Sequence, residues 1–198
     1  DPPNGVDDDG NGIIDDNIGY DIFDKDIDPS DPYGHGTAVA NVIHNLSPHS
    51  SICAIKVGGN NGAGTTKSLA EGIIYAVDKK LDIINISMGA TVPSPELETA
   101  IVNAQQKKLL IVAAAGNNGG YPLNYPAMYA EKYKNVIAVG ASEEVGDRLY
   151  KGTDWQSCHV AQNKVGFVLA KGKNVVETNS WMNQGTSFAA PQVTALIA

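Results

Sequence analysis

The stretch QGTSFAAPQV, residues 184–193, places a serine after two small residues and before an apolar, alanine-rich run that reaches Ala198. This pattern predicts a tight turn that delivers Ser187 to the first turn of a buried helix. Backbone N–H groups at such a position have no helical partner and favour negative charge nearby. A serine there is a candidate nucleophile if a base lies within reach. The alternative is that Thr186 or Ser187 only caps the helix.

A candidate base stands in the stretch DPYGHGTAVANVI, residues 31–43. His35 lies between two glycines, immediately before a run with helical apolar spacing. The missing side chains at Gly34 and Gly36 leave the imidazole open to an incoming chain. A lone histidine, however, is more often a surface or packing residue than a catalyst.

A candidate oxyanion donor lies in the stretch LLIVAAAGNNG, residues 109–119. The apolar run predicts a buried strand that ends in a glycine turn, with the amide of Asn117 at its carboxyl end. Asparagine after glycine is commonly only a turn residue. Taken together, the three stretches supply a base, an oxyanion donor and a nucleophile in that chain order.

The apolar runs indicate an α/β fold. Several of them are continuous rather than alternating and are separated by helical patterns, which predicts a mainly parallel sheet covered by helices on both faces. Ligands of such sheets bind at the carboxyl ends of the strands, where Ser87 and Asn117 fall. The predicted helices cover residues 35–46, 68–79 and 95–107, and the predicted strands cover 19–23, 51–57, 81–87, 109–115, 136–141 and 165–169.

The bulk composition fits one globular domain of 198 residues with a net charge of -8. Because phosphate backbones require a basic face, this charge argues against a nucleic-acid partner. No apolar run is long enough to span a bilayer, and no signal peptide is present at Asp1. Cys53 is expected to be a small core residue, and a disulfide between Cys53 and Cys158 is left open.

The segment DDDGNGIID, residues 7–15, alternates hard oxygen ligands around a glycine bend, as Ca²⁺ requires. Such dense carboxylates repel one another unless a cation neutralises them. The pattern departs from an EF-hand because Ile18 occupies the twelfth position. A solvated acidic loop is the alternative. The predicted ligands are the side chains of Asp7, Asp9, Asn11 and Asp15 and the carbonyl of Ile13.

The motifs GHGTAVA, AAAGNNG and QGTSFAAP resemble the histidine, oxyanion-hole and serine motifs of the subtilisin-like serine proteases, the subtilases of peptidase family S8. INISMG, residues 84–89, resembles the substrate-binding strand of that family, and residues 125–142 resemble the segment after its oxyanion asparagine. The resemblance runs from about Asn4 to Ala198. Three motifs in the right order are highly specific, whereas each alone is weak.

The resemblance implies a subtilisin-like three-layer sandwich and a serine endopeptidase. His35 would be the general base, Ser187 the nucleophile, and Asn117 an oxyanion donor whose removal lowers turnover by about 10²–10³, a magnitude known from subtilisin itself. It also implies calcium on surface loops and favours a secreted or cell-envelope location. An extended peptide or protein substrate would pair with the backbone of Gly62, Ala63 and Gly64 and of Ser87, Met88 and Gly89.

The family's triad aspartate has no counterpart here. No apolar strand before His35 ends in Asp-Thr-Gly or Asp-Ser-Gly, and the acidic residues between Asp21 and Asp31 lie in a different context. Residues 1–198 are therefore expected to be a partial catalytic domain that lacks an N-terminal strand and the C-terminal end. An upstream segment or a second chain would supply that strand, ending in an aspartate close to His35.

The alternative function is a catalytically inactive subtilase-like module that binds peptides or protein partners. Another type of α/β hydrolase is disfavoured, because residues 185–189 read GTSFA and not the G-x-S-x-G nucleophile elbow. Residues 164–176 match the family only loosely, so pocket specificity is not readable from them.

Overall fold

Strands and helices alternate along the chain in the computed structural model, which describes residues 3–143, 149–152, 155–159, 166–175 and 183–198. None of the helices in these ranges is long and apolar enough to cross a membrane. The elements are β1 (Gly19–Asp21), α1 (His35–Leu46), β2 (Ala54–Lys56), α2 (Thr66–Asp78), β3 (Ile83–Ile86), α3 (Pro95–Gln106), β4 (Leu110–Ala114), β5 (Asn118–Gly120), a 3-10 turn (Ala127–Glu131), β6 (Val136–Ser142), β7 (Gln156–Cys158), β8 (Phe167–Lys171) and α4 (Thr186–Ile197).

The helix starts follow from capping residues. The Ser94 hydroxyl accepts a hydrogen bond from the N–H of Leu97 at 3.3 Å, and Pro95 opens α3, as predicted. Helix α2 begins before the predicted start, because Thr65 and Ser68 form a reciprocal capping box.

The strand predictions hold for the long apolar runs and fail for short ones. Strands β5 and β7 were not expected, since β5 consists of Asn and Gly alone and is defined only by its pairing with β7. Strand β8 begins later than predicted, and residue 165 of that prediction lies outside the described residues. Both cysteines are free thiols, and Cys53 lies just before β2 and is only half-buried.

The central sheet is parallel, in the order β3-β4-β6-β8. Helices α2 and α3 pack on one face with most of the buried apolar side chains. Helix α4 lies on the other face against β4 and β6, and α1 packs onto α4 through Phe188. The three-layer α/β architecture is therefore confirmed, and β4 and β6 form its core.

A groove divides the sheet layer. Strands β1 and β2 form a separate parallel pair, and a cavity of about 1260 Å³ lies between β2 and β3. Within the described ranges, β2 pairs only with β1 and β3 pairs only with β4. The groove is walled mainly by apolar side chains, among them Ile55, Val57, Leu69, Ile73, Ile84 and Ile86.

Both edges of the groove belong to one layer. Ile55 and Val57 from the β2 side and Ile84 and Ile86 from β3 pack against the same core cluster under α2 and α3. Ile83 and Ile84 remain partly exposed, whereas Ile111 and Val112 on β4 are 0% exposed. Parallel sheets are normally buried on both faces, and their inner strands are paired on both sides. This layer therefore resembles one parallel sheet with an empty strand position between β2 and β3.

The open edge predicts uneven hydrogen exchange along β3. The Asp82 carbonyl accepts the N–H of Leu110, so by alternation the N–H groups of Ile83 and Asn85 point towards the groove. In the 198-residue chain these two amides are expected to exchange faster than those of Ile84 and Ile86. Site-resolved hydrogen exchange measures this, and equal protection at all four amides would contradict an open edge.

Candidate active site

Ser187 lies in the first turn of α4, as the sequence predicts. The chain turns sharply just before this helix, since Gly185 has φ +117, a value that side chains disfavour. No side chain caps α4, so the alternative of Thr186 or Ser187 as a cap is wrong. The Ser187 hydroxyl donates to the carbonyl of Ser87 at 3.0 Å, and the Ser87 hydroxyl donates to the carbonyl of Ser187 at 2.7 Å.

Asn117 follows β4 and faces the start of α4. Its Oδ1 accepts hydrogen bonds from the N–H of Thr186 at 2.9 Å and from the Thr186 hydroxyl at 3.0 Å. The hydroxyl of Thr186 in turn accepts from the N–H of Gly116 at 3.1 Å. Because the amide oxygen is occupied, Nδ2 is the atom that remains to donate to a ligand.

Thr186 is a residue of the candidate site that sequence reasoning missed. It is 1% exposed, and its hydroxyl sets the orientation of the Asn117 amide. A threonine before a helix is typical of a cap, so the sequence carries no signal that separates the two roles.

His35 is the first residue of α1, and its ring meets Phe188 edge to face, with centroids 5.9 Å apart. Burial lowers the pKa of His35, and the charge of Asp31 opposes this only in part. The imidazole is therefore neutral at neutral pH, the form that accepts a proton.

One pocket of about 280 Å³ brings the predicted catalytic residues together. His35, Asn117 and Ser187 line it with Tyr33, Trp155, Gln184, Gly185 and Phe188. The Ser187 hydroxyl bonds to Ser87 rather than to the imidazole. Catalytic hydrogen bonds often form only when substrate is bound, so this geometry is compatible with a nucleophile and its base.

The two predicted peptide-pairing segments lie side by side at the carboxyl ends of β2 and β3. A Cβ added to Gly64 would lie 3.0 Å from Cε of Met88 and 2.7 Å from the Val57 carbonyl oxygen. A Cβ on Gly62 would lie 2.6 Å from the ring of Tyr33. Glycine therefore permits both approaches, while substrate pairing at residues 62–64 and 87–89 stays a prediction.

The carboxylates near the site have other partners. Asp21, at the end of β1, lies 2.6 Å from Nζ of Lys56 and accepts the N–H groups of Phe23 and Asp24. Asp31 accepts from Gly34 and Thr37. Across the part of the chain that the structure describes, no carboxylate hydrogen-bonds to His35.

Four of the predicted calcium ligands make hydrogen bonds or ion pairs of their own. Both Asp7 oxygens accept backbone N–H groups, from Gly10 and Asn11 on Oδ1 and from Gly12 on Oδ2. Oδ1 of Asp15 accepts the N–H groups of Asn4 and Gly5, the Asn11 oxygen accepts that of Ile13, and Asp9 lies 2.7 Å from Nζ of Lys79. The described residues contain no group of three potential metal-ligating His, Cys, Asp or Glu side chains. Calcium binding at this loop, through Asp7, Asp9, Asn11, Asp15 and the carbonyl of Ile13, stays a prediction.

Lys79 brings a positive charge to this acidic loop. Lys79, which directly follows α2, pairs with Asp9 and with Asp16, whose side chain is fully buried. Asp16 also accepts from the Tyr75 hydroxyl at 2.6 Å and from Nδ2 of Asn11 at 2.8 Å. Burial raises the pKa of Asp16, but the hydrogen bonds from these three partners outweigh it, so the net pKa lies below its ordinary value.

The comparison with protein families matches the model of the Subtilase family to residues 4–198. Among curated proteins, the chain is 36% identical over 195 residues to the Thermophilic serine proteinase of Bacillus sp. (strain AK1), covering 91% of this chain and 45% of that protein. It is 35% identical over 196 residues to the Minor extracellular protease Epr of Bacillus subtilis (strain 168), covering 91% of this chain and 28% of that protein.

The Major intracellular serine protease of Bacillus subtilis (strain 168) is 36% identical over 188 residues, covering 85% of this chain and 55% of that protein. The chain thus spans about half the length or less of these relatives. Their names point to both sides of the cell envelope, so the secreted location stays a prediction.

Solved structures share the fold. The "cold adapted subtilisin-like serine proteinase" superposes with a TM-score of 0.73 at 26% identity, covering 90% of this chain and 66% of that one. The "Prenylagaramide maturation protease PagA" superposes with a TM-score of 0.65 at 31% identity, covering 83% of this chain and 62% of that one.

The Lys79 network yields a stability prediction. Lys79→Met is expected to lower the free energy of unfolding by about 3–5 kcal/mol, because it leaves the buried Asp16 carboxylate without its cation. Lys67→Met, on an exposed side chain of the preceding helix, is the control. Urea denaturation at neutral pH measures both variants, and equal stability would show that Lys79 does not anchor the loop.

The same network predicts a pH dependence. The pKa of Asp16 is lowered on folding, so its contribution is present above its unfolded pKa of about 3.9 and is lost as the pH falls through the lower folded value. Comparing the parent protein with Lys79→Met between about pH 7 and about pH 3 tests the sign. The difference in unfolding free energy should shrink towards acid pH.

Proposed function

The chain belongs to the subtilase family, and on that premise we propose that it is the catalytic part of a serine endopeptidase. The observation that supports this most is the convergence of His35, Asn117 and Ser187 on one pocket from three separate elements. The pocket lies at the carboxyl edge of the parallel sheet, where ligands of such folds bind. The relatives are named as a serine proteinase and a serine protease, which supports a peptide or protein substrate.

The proposed reaction is acyl transfer to Ser187. Neutral His35 accepts the hydroxyl proton while Ser187 Oγ attacks the scissile carbonyl carbon and forms a tetrahedral oxyanion. Nδ2 of Asn117 and the backbone N–H of Ser187 donate to that oxygen. Imidazolium then gives its proton to the leaving amine, the C–N bond breaks, and water hydrolyses the acyl-enzyme by the reverse transfers.

The substrate is proposed to bind as an extended strand. Residues 62–64 and 87–89 flank a path that leads to Ser187, and Ser87 is already tied to Ser187 by two hydrogen bonds. Glycines at both segments allow the substrate backbone to approach closely, and paired main-chain hydrogen bonds supply the affinity.

The acidic member of the triad is proposed to come from a further strand in the groove. The carboxyl ends of β2 and β3 lie at the same edge, since Gly64 contacts both the Val57 carbonyl and Met88. His35 and Gly36 line the groove as well. A parallel strand between β2 and β3 would therefore end beside the imidazole, and an aspartate there would orient its tautomer.

A non-catalytic, peptide-binding module is the second candidate. One observation favours it, namely that no described carboxylate bonds to His35 and the Ser187 hydroxyl bonds to Ser87. Such a module would keep the peptide-pairing segments and lack a reactive serine, so the reactivity of Ser187 separates the two functions.

Labelling with a fluorophosphonate tests the nucleophile. In the protein that contains this chain, the reagent is expected to modify Ser187, and Ser187→Ala should remove both labelling and peptide hydrolysis while the melting temperature changes little. Ser51→Ala, on an exposed serine before β2, is the control. Labelling that is absent from the folded parent, or that survives in Ser187→Ala, would contradict the proposal.

A peptide complement tests the groove. An extended apolar peptide ending in aspartate is expected to slow exchange at the Ile83 and Asn85 amides of the 198-residue chain and to raise its peptidase activity. The same peptide ending in asparagine should protect the amides equally but leave turnover about 10⁴-fold lower, because the wrong tautomer is held. Equal activity with both peptides would exclude an acidic role for this strand.

A further inference from the structure

Asp31 holds the loop that carries His35. Helix α1 has Gly34 at its N-cap and no capping side chain there. Asp31 supplies the acceptors instead: Oδ1 accepts the N–H of Gly34 at 2.9 Å, and Oδ2 accepts the N–H and the hydroxyl of Thr37 at 2.8 and 2.9 Å. The Asp31 carbonyl accepts the N–H of Gly34 as well, at 3.2 Å.

These bonds surround the histidine backbone. Gly34 and Thr37 lie on either side of His35, and a Cβ added to Gly36 would lie 3.4 Å from Oδ2 of Asp31. One carboxylate therefore fixes the chain before and after the imidazole. Gly34 has φ +85, and a glycine backbone is only weakly restricted by sterics at this angle. The hydrogen bonds to Asp31 are therefore what holds the backbone in place before His35.

Asp31 is also the charge that acts on the imidazole. Burial raises the pKa of Asp31, but the bonds from Thr37 and Gly34 outweigh it and keep the carboxyl ionised at neutral pH. Tyr33 lines the pocket beside His35, and Lys56, which lines the groove, is paired with Asp21.

The remaining titratable groups of the groove are remote from the imidazole. They lie towards the amino ends of β2 and β3, away from the edge at which His35 and Ser187 meet, and are His49, Cys53, Lys80 and Asp82.

We propose that Asp31 is a positioning residue for His35, which sets the place of the imidazole and stabilises its protonated form during turnover. Asp31 is not the acid of the triad, because its oxygens are committed to Gly34 and Thr37. The inference rests on the proposed peptidase function, since it assigns to His35 the work of a general base. A misplaced base lowers turnover without changing how the peptide is held.

Steady-state kinetics of the complete protein tests the role. Asp31→Asn should lower kcat by about 10- to 100-fold and leave KM within about twofold, because placement of the base affects the chemical step. The acid limb of kcat/KM should move to lower pH, since loss of the negative charge lowers the pKa of His35. Asp31→Ala should lose more activity, because it removes every acceptor of the side chain.

Asp28→Asn is the matched control. Asp28 lies in the same segment and is exposed, and its side chain accepts hydrogen bonds from Ser30, away from the histidine, so the kinetics of this variant should equal those of the parent. A parent-like kcat and acid limb in folded Asp31→Asn would overturn the proposal. So would an equal loss in Asp28→Asn.

Thr37→Val separates the effect of Asp31 on the position of His35 from the effect of the Asp31 charge on the imidazole. It removes the hydroxyl donor to Oδ2 but leaves the carboxylate, so kcat should fall about fivefold, the equivalent of one hydrogen bond, while the acid limb stays in place. This variant also keeps the proposal testable if Asp31→Ala fails to fold, because Thr37 is exposed. A parent-like kcat in Thr37→Val would contradict the positioning role.

An NMR titration distinguishes failure of the inference from failure of the proposed function. In the Ser187→Ala protein, the His35 ring should titrate at a higher pH than in the double variant that also carries Asp31→Asn. If that shift appears but no form of the protein cleaves peptides, the peptidase proposal fails and the coupling between Asp31 and His35 stands. If the pKa is the same in both proteins, the coupling fails whether or not the protein is a peptidase.

Discussion

The contact between Thr186 and the turn after β4 sets the geometry on which the candidate active site depends. Three hydrogen bonds join the first residue of α4 to Gly116 and Asn117. They place Ser187, the proposed nucleophile, at the helix start, where free N–H groups stabilise negative charge, and they orient the asparagine amide. Since Thr186 and most of β4 are buried, Asn117, the proposed oxyanion donor, is held by the core and not by a free loop.

The position of His35, the proposed base, depends on a different constraint, the packing of α1 beside the open side of the sheet. His35 reaches the pocket from a helix that packs on α4 through Phe188 but borders the groove between β2 and β3. A gap in a parallel sheet leaves backbone groups unpaired and apolar side chains exposed to water, so the proposed strand in the groove and the candidate site would form together. On this view, a strand in the groove would order the site and complete its charge at the same time.

The acidic N-terminal loop shows what a local pattern of carboxylates predicts and what it leaves out. Carboxylates at alternate positions indicate a need for positive charge. The ammonium of Lys79 supplies such a charge to Asp9 and Asp16. The backbone N–H groups of the loop occupy the oxygens of Asp7 and Asp15. A lysine that is distant in sequence does not appear in a local motif, so the sequence pattern could not predict the ion pairs of Lys79.

The sequence by itself determined the fold class, the helix from His35 to Leu46, and the three side chains of the candidate site. Continuous apolar runs and glycine-flanked motifs are local signals, and locally set conformations survive into the tertiary structure. Only the tertiary structure decided what depends on distant partners. That Thr186 orients Asn117, that Lys79 holds Asp16, and that Asp31 turns to Thr37 are outcomes of packing, because a hydrogen-bonding side chain takes the partner that burial brings within reach.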